Sequence, residues 1–159
     1  MESNDEPEAR RNDASVVGIA RFGELLTARA LIRSSGQILV LRPDQAGWSL
    51  LPGGRIEPGN PVQSTLVGHV AQQTGLLSTI IGFVGGVEHH HARADAADHA
   101  ITLVFEARLS DSHSADHTGN RETEWVAADD LVGHDLRPVA LKEALIEGSG
   151  GPFWRAWTQ

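Results

Sequence analysis

Three polar side chains occupy one face of a short helix that is bounded by glycines. The segment LPGGRIEPGNPVQSTLVGHVAQQTGL covers residues 51–76 and carries His69, Gln72 and Gln73. Residues spaced i, i+3 and i+4 share a helix face, so these side chains should point into one space. An imidazole can act as acid, base or metal ligand near neutral pH. Glutamine can ligate a metal only through an uncharged carbonyl, and a hard cation such as magnesium prefers anionic oxygens.

The helix that would position these side chains has recognisable ends. Asn60 is a good N-cap, and Pro61 suits the first helical position, where its missing N–H costs nothing. Gly75 can supply a left-handed C-terminal cap. The apolar positions between them predict a core-facing stripe, formed by Val62, Leu66, Val67 and Val70.

Several β-favourable runs surround this helix. The first two, residues 26–33 and 37–42, predict a hairpin that turns through Ser34, Ser35 and Gly36. A short strand is expected near Trp48 to Leu51. Further strands are expected at residues 79–89, 100–109 and 122–127, and a second helix over 137–148 with Gly148 as its stop. Strands mixed with two helices predict one α/β sandwich domain.

Composition narrows the class of protein. The chain has 159 residues, no cysteine and a formal net charge of -8, which excludes disulfides and thiol chemistry and argues against nucleic acid as a partner. We expect an acidic and polar disordered tail over residues 1–17 and a domain over residues 18–159. No apolar run is long enough to span a membrane, and no signal peptide is evident, so we expect a cytoplasmic protein. Edge strands and the tryptophans at 154 and 157 are compatible with a homodimer.

The segment 51–76 resembles the Nudix box, G-x5-E-x7-R-E-U-x-E-E-x-G-U, where U is aliphatic. The glycine and aliphatic positions match at Gly54, Val70, Gly75 and Leu76. The charged positions do not match, since they are occupied by Asn60, Gly68, His69, Gln72 and Gln73. The resemblance extends over roughly residues 26–145 and implies a Nudix-type α/β/α sandwich with a mixed β-sheet. All four glutamates and the arginine of the box are replaced, so we interpret the box as degenerate.

In that family, helix carboxylates hold magnesium or manganese against a diphosphate, and the metal orients the attacking water. Loss of a formal charge near a divalent ion removes a few kcal/mol per site even at an effective dielectric of about 20. Two or three such losses should abolish useful magnesium affinity. The sequence therefore predicts no metal and no cofactor, and a small molecule as the ligand or substrate.

Other acids and histidines could line the same pocket. Glu57 precedes the helix, and Glu122 and Glu124 lie in a region where the family carries a helper carboxylate. The run VEHHHARADAADH adds a dense set of candidate ligands, of which Glu88, His89, His91 and His99 are the ones we expect at the pocket. In a strand, residues 89 and 91 face one side and residue 90 the other, so a zinc cage is disfavoured.

Three functions remain open. The first is a metal-independent enzyme that acts on a small metabolite, with His69 as acid or base and Gln72 and Gln73 binding the substrate. The second is a non-catalytic module that binds a ligand or a regulatory partner. The third is a divergent diphosphate hydrolase with displaced metal ligands, among which Glu57, Glu122 and Glu124 are candidates.

Overall fold

The first two strands form the predicted hairpin. The computed structural model describes residues 26–93, 96–110 and 122–157, so the predicted tail and the first residues of the domain lie outside it. Strand β1 covers Leu26–Ser34 and β2 covers Gln37–Arg42. The turn places Ser35 at φ 50° and Gly36 at φ 75°, the left-handed pair that matches the twist of a two-residue hairpin. The predicted hairpin is confirmed.

The part of the chain that the structure describes forms one mixed sheet of seven strands. The others are β3 (Gly53–Arg55), β4 (Ser78–Arg93), β5 (Ala96–Leu109), β6 (Glu122–Ala127) and β7 (Phe153–Arg155). Their order is β6-β2-β1-β5-β4-β7, and β3 pairs with β1 beside this path. The β1/β5 and β4/β7 pairs are parallel, whereas the remaining pairs are antiparallel.

The strand expected near Trp48 to Leu51 is wrong. That segment forms only isolated bridges, through Ser49 and Leu50, and the strand β3 follows a few residues later. Pro52 explains the shift, because it has no N–H for a ladder and so interrupts the pairing. Its carbonyl accepts from the N–H of Ala30 at 2.7 Å, which brings the chain onto β1.

In the described residues two α-helices cover the sheet, α1 over Val62–Thr74 and α2 over Val139–Glu147. The predicted cap at Asn60 is wrong: Pro61 is the N-cap residue, with φ -62° and ψ 132°, and no side chain caps the helix. Asn60 instead donates its N–H to the Glu57 carbonyl at 3.1 Å, in the turn before the helix. Gly75 ends α1 at φ 72° and donates to the Ala71 carbonyl, as predicted. In the described ranges neither helix combines the length and apolarity of a membrane span.

Each face of the sheet carries its own apolar cluster. On one face, Leu66 and Val70 of α1 pack against the alanines of β1, and both side chains are fully buried. On the other face, Leu141 of α2 packs against Leu31, and a 3-10 turn over Ala128–Gly133 contributes Leu131. A fully buried leucine contributes roughly 1.5–3 kcal/mol by leaving water. The result is a single-domain α/β/α sandwich with a mixed sheet, as the sequence predicts.

Candidate functional site

The three helix residues that share a face also share a cavity. We call it the helix–loop cavity, since it lies between α1 and the turn that enters β3. Its volume is about 540 Å³, within the usual range of small-molecule sites. It is lined by Arg29, Leu41, Leu50, Gly53, Gly54, His69, Gln72 and Gln73.

Gln73 binds the backbone of Gly53 through both ends of its amide. Its Oε1 accepts from the Gly53 N–H at 2.8 Å, and its Nε2 donates to the Gly53 carbonyl at 2.7 Å. A carboxylate of the same shape could make the first bond but not the second, because it has no proton to donate. The amide is therefore the side chain that matches both the donor and the acceptor of Gly53.

Gly53 itself cannot be replaced without moving β1. Its φ is 139°, and a Cβ there would stand 2.1 Å from the Ala28 carbonyl oxygen. The close approach of the two backbones requires a residue without a side chain. The backbone of Gly53 therefore pairs with β1 and also binds the side chain of Gln73.

Arg29 binds the same Gly53 carbonyl as Gln73. Arg29 of β1 donates from Nη1 to the carbonyls of Leu51 and Gly53, at 3.2 and 3.0 Å. The Gly53 oxygen thus accepts from both Arg29 and Gln73, which uses the two lone pairs of a carbonyl. Arg29 is not among the residues predicted from the sequence. The signal for it is the single charge in the run LTARALI.

His69 is oriented by one backbone contact. Its Nε2 lies 3.1 Å from the Arg55 carbonyl oxygen, and a carbonyl can only accept, so Nε2 carries a proton. Nδ1 then holds the lone pair of the neutral ring. The ring lies against Gly54, where a Cβ would stand 3.2–3.3 Å from three ring atoms. Gly54 therefore leaves the space that the imidazole fills.

Gln72 and the predicted acids beside the helix occupy different surroundings. Gln72 is exposed at the cavity rim. Glu57 is exposed and pairs with Arg55, with 3.3 Å between Oε1 and Nε. Glu124 pairs with Arg42 at 2.8 Å on the β2/β6 edge. Neither acid lines the helix–loop cavity. The side chain of Glu122 lies outside the described residues.

The histidine-rich strands divide their side chains between the two faces of the sheet. His89 lies 2.9 Å from Thr102 Oγ1, which in turn lies 2.6 Å from Thr27 Oγ1. Glu88 lies 2.9 Å from His99 Nε2, and that imidazole stacks on Trp157 with a centroid distance of 5.3 Å. Neither pair lines the helix–loop cavity.

The expected alternation along this segment holds where it is described. His90 lies beside Trp157, at 6.1 Å between ring centroids, while its neighbour His89 contacts Thr102. The side chain of His91 lies outside the described residues. Among the residues that are described, no three of the His, Asp and Glu side chains stand close enough to hold a metal ion.

Comparisons with known proteins agree with this architecture. Residues 23–145 match the model of the NUDIX domain. Among solved structures, the E. coli ORF135 protein is 23% identical with a TM-score of 0.57, covering 77% of this chain and 88% of its own. A UDP-X diphosphatase is 16% identical with a TM-score of 0.60, covering 92% of this chain and 77% of its own.

A third structure, an ADP-ribose pyrophosphatase from Streptococcus suis 89-1591, is 20% identical with a TM-score of 0.59. It covers 82% of this chain and 97% of its own. At these identities the likeness concerns the fold. A search of curated proteins finds no match. The domain match covers most of the chain and agrees with the mixed sheet and the helices that cover it, so this protein belongs to the NUDIX domain family.

Proposed function

We propose that the helix–loop cavity binds a small metabolite and acts on it without a divalent metal, with His69 as acid or base. The observation that carries this proposal is the set of hydrogen bonds between uncharged helix side chains and the β3 backbone. Gln73 binds Gly53 twice, and His69 binds Arg55. These are helix positions where the resemblance to the Nudix box places glutamates.

The residues present do not fit a magnesium ion. No carboxylate stands among the described residues that line the cavity, and magnesium prefers anionic oxygens. The Gly53 carbonyl, which Gln73 contacts, already accepts two donors. A metal there would have to displace Arg29 and Gln73 from the same atom, so we derive no step through a metal.

One contact of His69 supports a role in proton transfer. The Arg55 carbonyl fixes Nε2 as the protonated nitrogen, which leaves Nδ1 as the atom that takes up or releases a proton. A backbone carbonyl orients the ring without adding charge. Gln72, exposed at the rim, is free of the helix–loop hydrogen bonds and would contact the substrate.

The test begins with the unmodified protein. It is incubated with pooled metabolites in a chelator, and mass spectrometry identifies any compound that is converted. His69→Ala should then lose turnover of that compound by roughly 10²–10⁴-fold, the usual contribution of a general acid or base. His90→Ala, an exposed histidine outside the cavity, is the matched control and should retain full turnover.

Recovery of the His69→Ala variant by added imidazole would support direct proton transfer, because the substitution leaves a space of the same shape. Undiminished turnover in His69→Ala contradicts the role. Turnover that appears only with magnesium and disappears with chelator contradicts the metal-independent reaction and supports a hydrolase with displaced ligands.

A second candidate is a non-catalytic module that binds a small ligand. The observation that favours it is that both polar atoms of the Gln73 side chain bind Gly53. A side chain engaged in this way supports the loop. Thermal-shift screening separates the two candidates. A compound that stabilises the protein and is recovered unaltered after long incubation supports the binding module.

A further inference from the structure

A second cavity of about 450 Å³ lies at the C-terminal end of α2. We call it the α2-end cavity. Strands β1, β4 and β5 form its floor, and the loop after α2, residues 148–151, forms its rim. It shares no lining residue with the helix–loop cavity, so its occupant would not compete with the substrate of the proposed reaction.

Two opposite charges line the α2-end cavity. Glu106 stands opposite Leu31 in the parallel pairing of β5 with β1, and Arg33 follows two residues later on the same face of β1. The two side chains therefore leave neighbouring strands on one face of the sheet and border the same cavity. In the described part of the chain no ion pair joins Arg33 to Glu106 or either of them to another residue.

The remaining walls are apolar or bare backbone. Leu31 is buried, and Val84, Leu145 and Phe153 pack beside it. In the loop, Gly148 adopts φ 62°, and at Gly150 and Gly151 no atom lies where a side chain would begin. The Ser149 hydroxyl donates to the Gly151 carbonyl, which holds the loop as a turn. The rim is therefore open to a ligand that enters from solvent.

We propose that the α2-end cavity binds a free α-amino acid with an apolar side chain. Its carboxylate pairs with Arg33, its ammonium pairs with Glu106, and its side chain packs on the apolar floor near Phe153. The amino nitrogen and carboxyl carbon of an amino acid are about 2.5 Å apart, through one shared carbon. With a hydrogen bond of roughly 2.7–3.2 Å at each end, such a ligand is short enough to contact both of the flexible charged side chains that border one cavity.

The pair of charges selects this class of ligand. A simple anion would satisfy Arg33 and leave Glu106 facing an uncharged group, and a simple cation would do the reverse. An ionised group that loses water without gaining a partner opposes binding. A zwitterion satisfies both charges at once, and its side chain supplies the apolar contact that the floor offers.

Isothermal titration calorimetry of the full chain tests the proposal without any variant. Leucine is compared with 3-methylbutylamine, which lacks the carboxylate, and with 4-methylpentanoate, which lacks the ammonium. Leucine should bind about tenfold or more tightly than either analogue, as expected when one charged hydrogen bond is lost. Equal affinity for leucine and one analogue overturns the proposal, as does tighter binding of the dipeptide leucylglycine.

Variants locate the site. Arg33→Gln and Glu106→Gln should each weaken leucine binding about tenfold or more. The matched controls are Arg137→Gln and Asp135→Asn, an exposed ion pair outside the cavity, which should leave the affinity unchanged. Circular dichroism confirms that each variant is folded. Full affinity in a folded Arg33→Gln variant overturns the assignment.

Discussion

Replacement of Gln73 by glutamate tests whether the amide, rather than a carboxylate, is the group that fits the β3 turn. In the native protein Oε1 accepts from the Gly53 N–H at 2.8 Å, and Nε2 donates to the Gly53 carbonyl at 2.7 Å. Gln73→Glu keeps the first bond but sets an anionic oxygen against a carbonyl oxygen in place of the second. Gly53 is buried, so water cannot readily replace the lost donor.

The size of the effect follows from these contacts. Loss of one net hydrogen bond costs about 0.5–1.5 kcal/mol, and the mismatch at a buried carbonyl raises the total to about 1–3 kcal/mol. For a domain of this size, each kcal/mol lowers Tm by about 2–4 °C. We therefore expect Gln73→Glu to melt about 2–12 °C below the native protein.

Thermal and urea unfolding at pH 7 measure this difference. Gln72→Glu is the matched control, because it makes the same change of charge one residue away on an exposed side chain. The control should stay within about 0.5 kcal/mol of the native protein. If the two variants are equally stable, the amide contacts do not contribute as argued. If Gln73→Glu is the more stable protein, attraction to Arg29, which donates to the same oxygen, outweighs the lost bond.

The remaining predictions concern magnesium binding, two glycines and the packing of α1. The Tm measured in millimolar magnesium should equal the Tm measured in chelator, because only a ligand that binds the folded state raises Tm. A higher Tm in magnesium would contradict a site without charge. Gly53→Ala should prevent stable folding because its Cβ would meet the Ala28 carbonyl at 2.1 Å, whereas Gly47→Ala, with open space, should match the native melting curve. Gly68→Ala, in an exposed and open helical position, should stabilise the protein by about 1 kcal/mol in urea unfolding. Leu66→Ala should destabilise it by about 2–5 kcal/mol, and a smaller loss would mean that α1 packs loosely.

Much of the fold could be read from local patterns. The hairpin of β1 and β2 follows from two β-favourable runs on either side of Ser35 and Gly36, and the end of α1 follows from Gly75. Both depend on short-range backbone preferences, which a sequence carries explicitly. The position of β3 does not follow from local pattern, because the Pro52 carbonyl binds Ala30 in a remote segment of the chain. The start of α1 differs by one residue, because Asn60 belongs to the turn with Glu57 and Pro61 takes the N-cap position.

The candidate site divides in the same way. The helical period was enough to bring His69, Gln72 and Gln73 to one cavity. It could not show that Gln73 binds Gly53 or that Arg29 binds the same carbonyl, because both contacts join segments that only the sheet brings together. The place of Glu57 in the loop before α1 also did not reveal its surroundings, since Glu57 pairs with Arg55 outside the cavity.

The sequence by itself determined which glycine and aliphatic positions match the Nudix box. It also determined that His69, Gln72 and Gln73 share a helix face without a carboxylate, since this follows from residue type and a period of 3.6. Tertiary structure alone decided what the uncharged residues do. It set the amide of Gln73 against the Gly53 peptide, and it placed Arg33 and Glu106 on neighbouring strands at a second cavity. The physical reason is that hydrogen bonds and charge pairs act over a few ångströms, and distances of that kind between remote residues exist only after the sheet has formed.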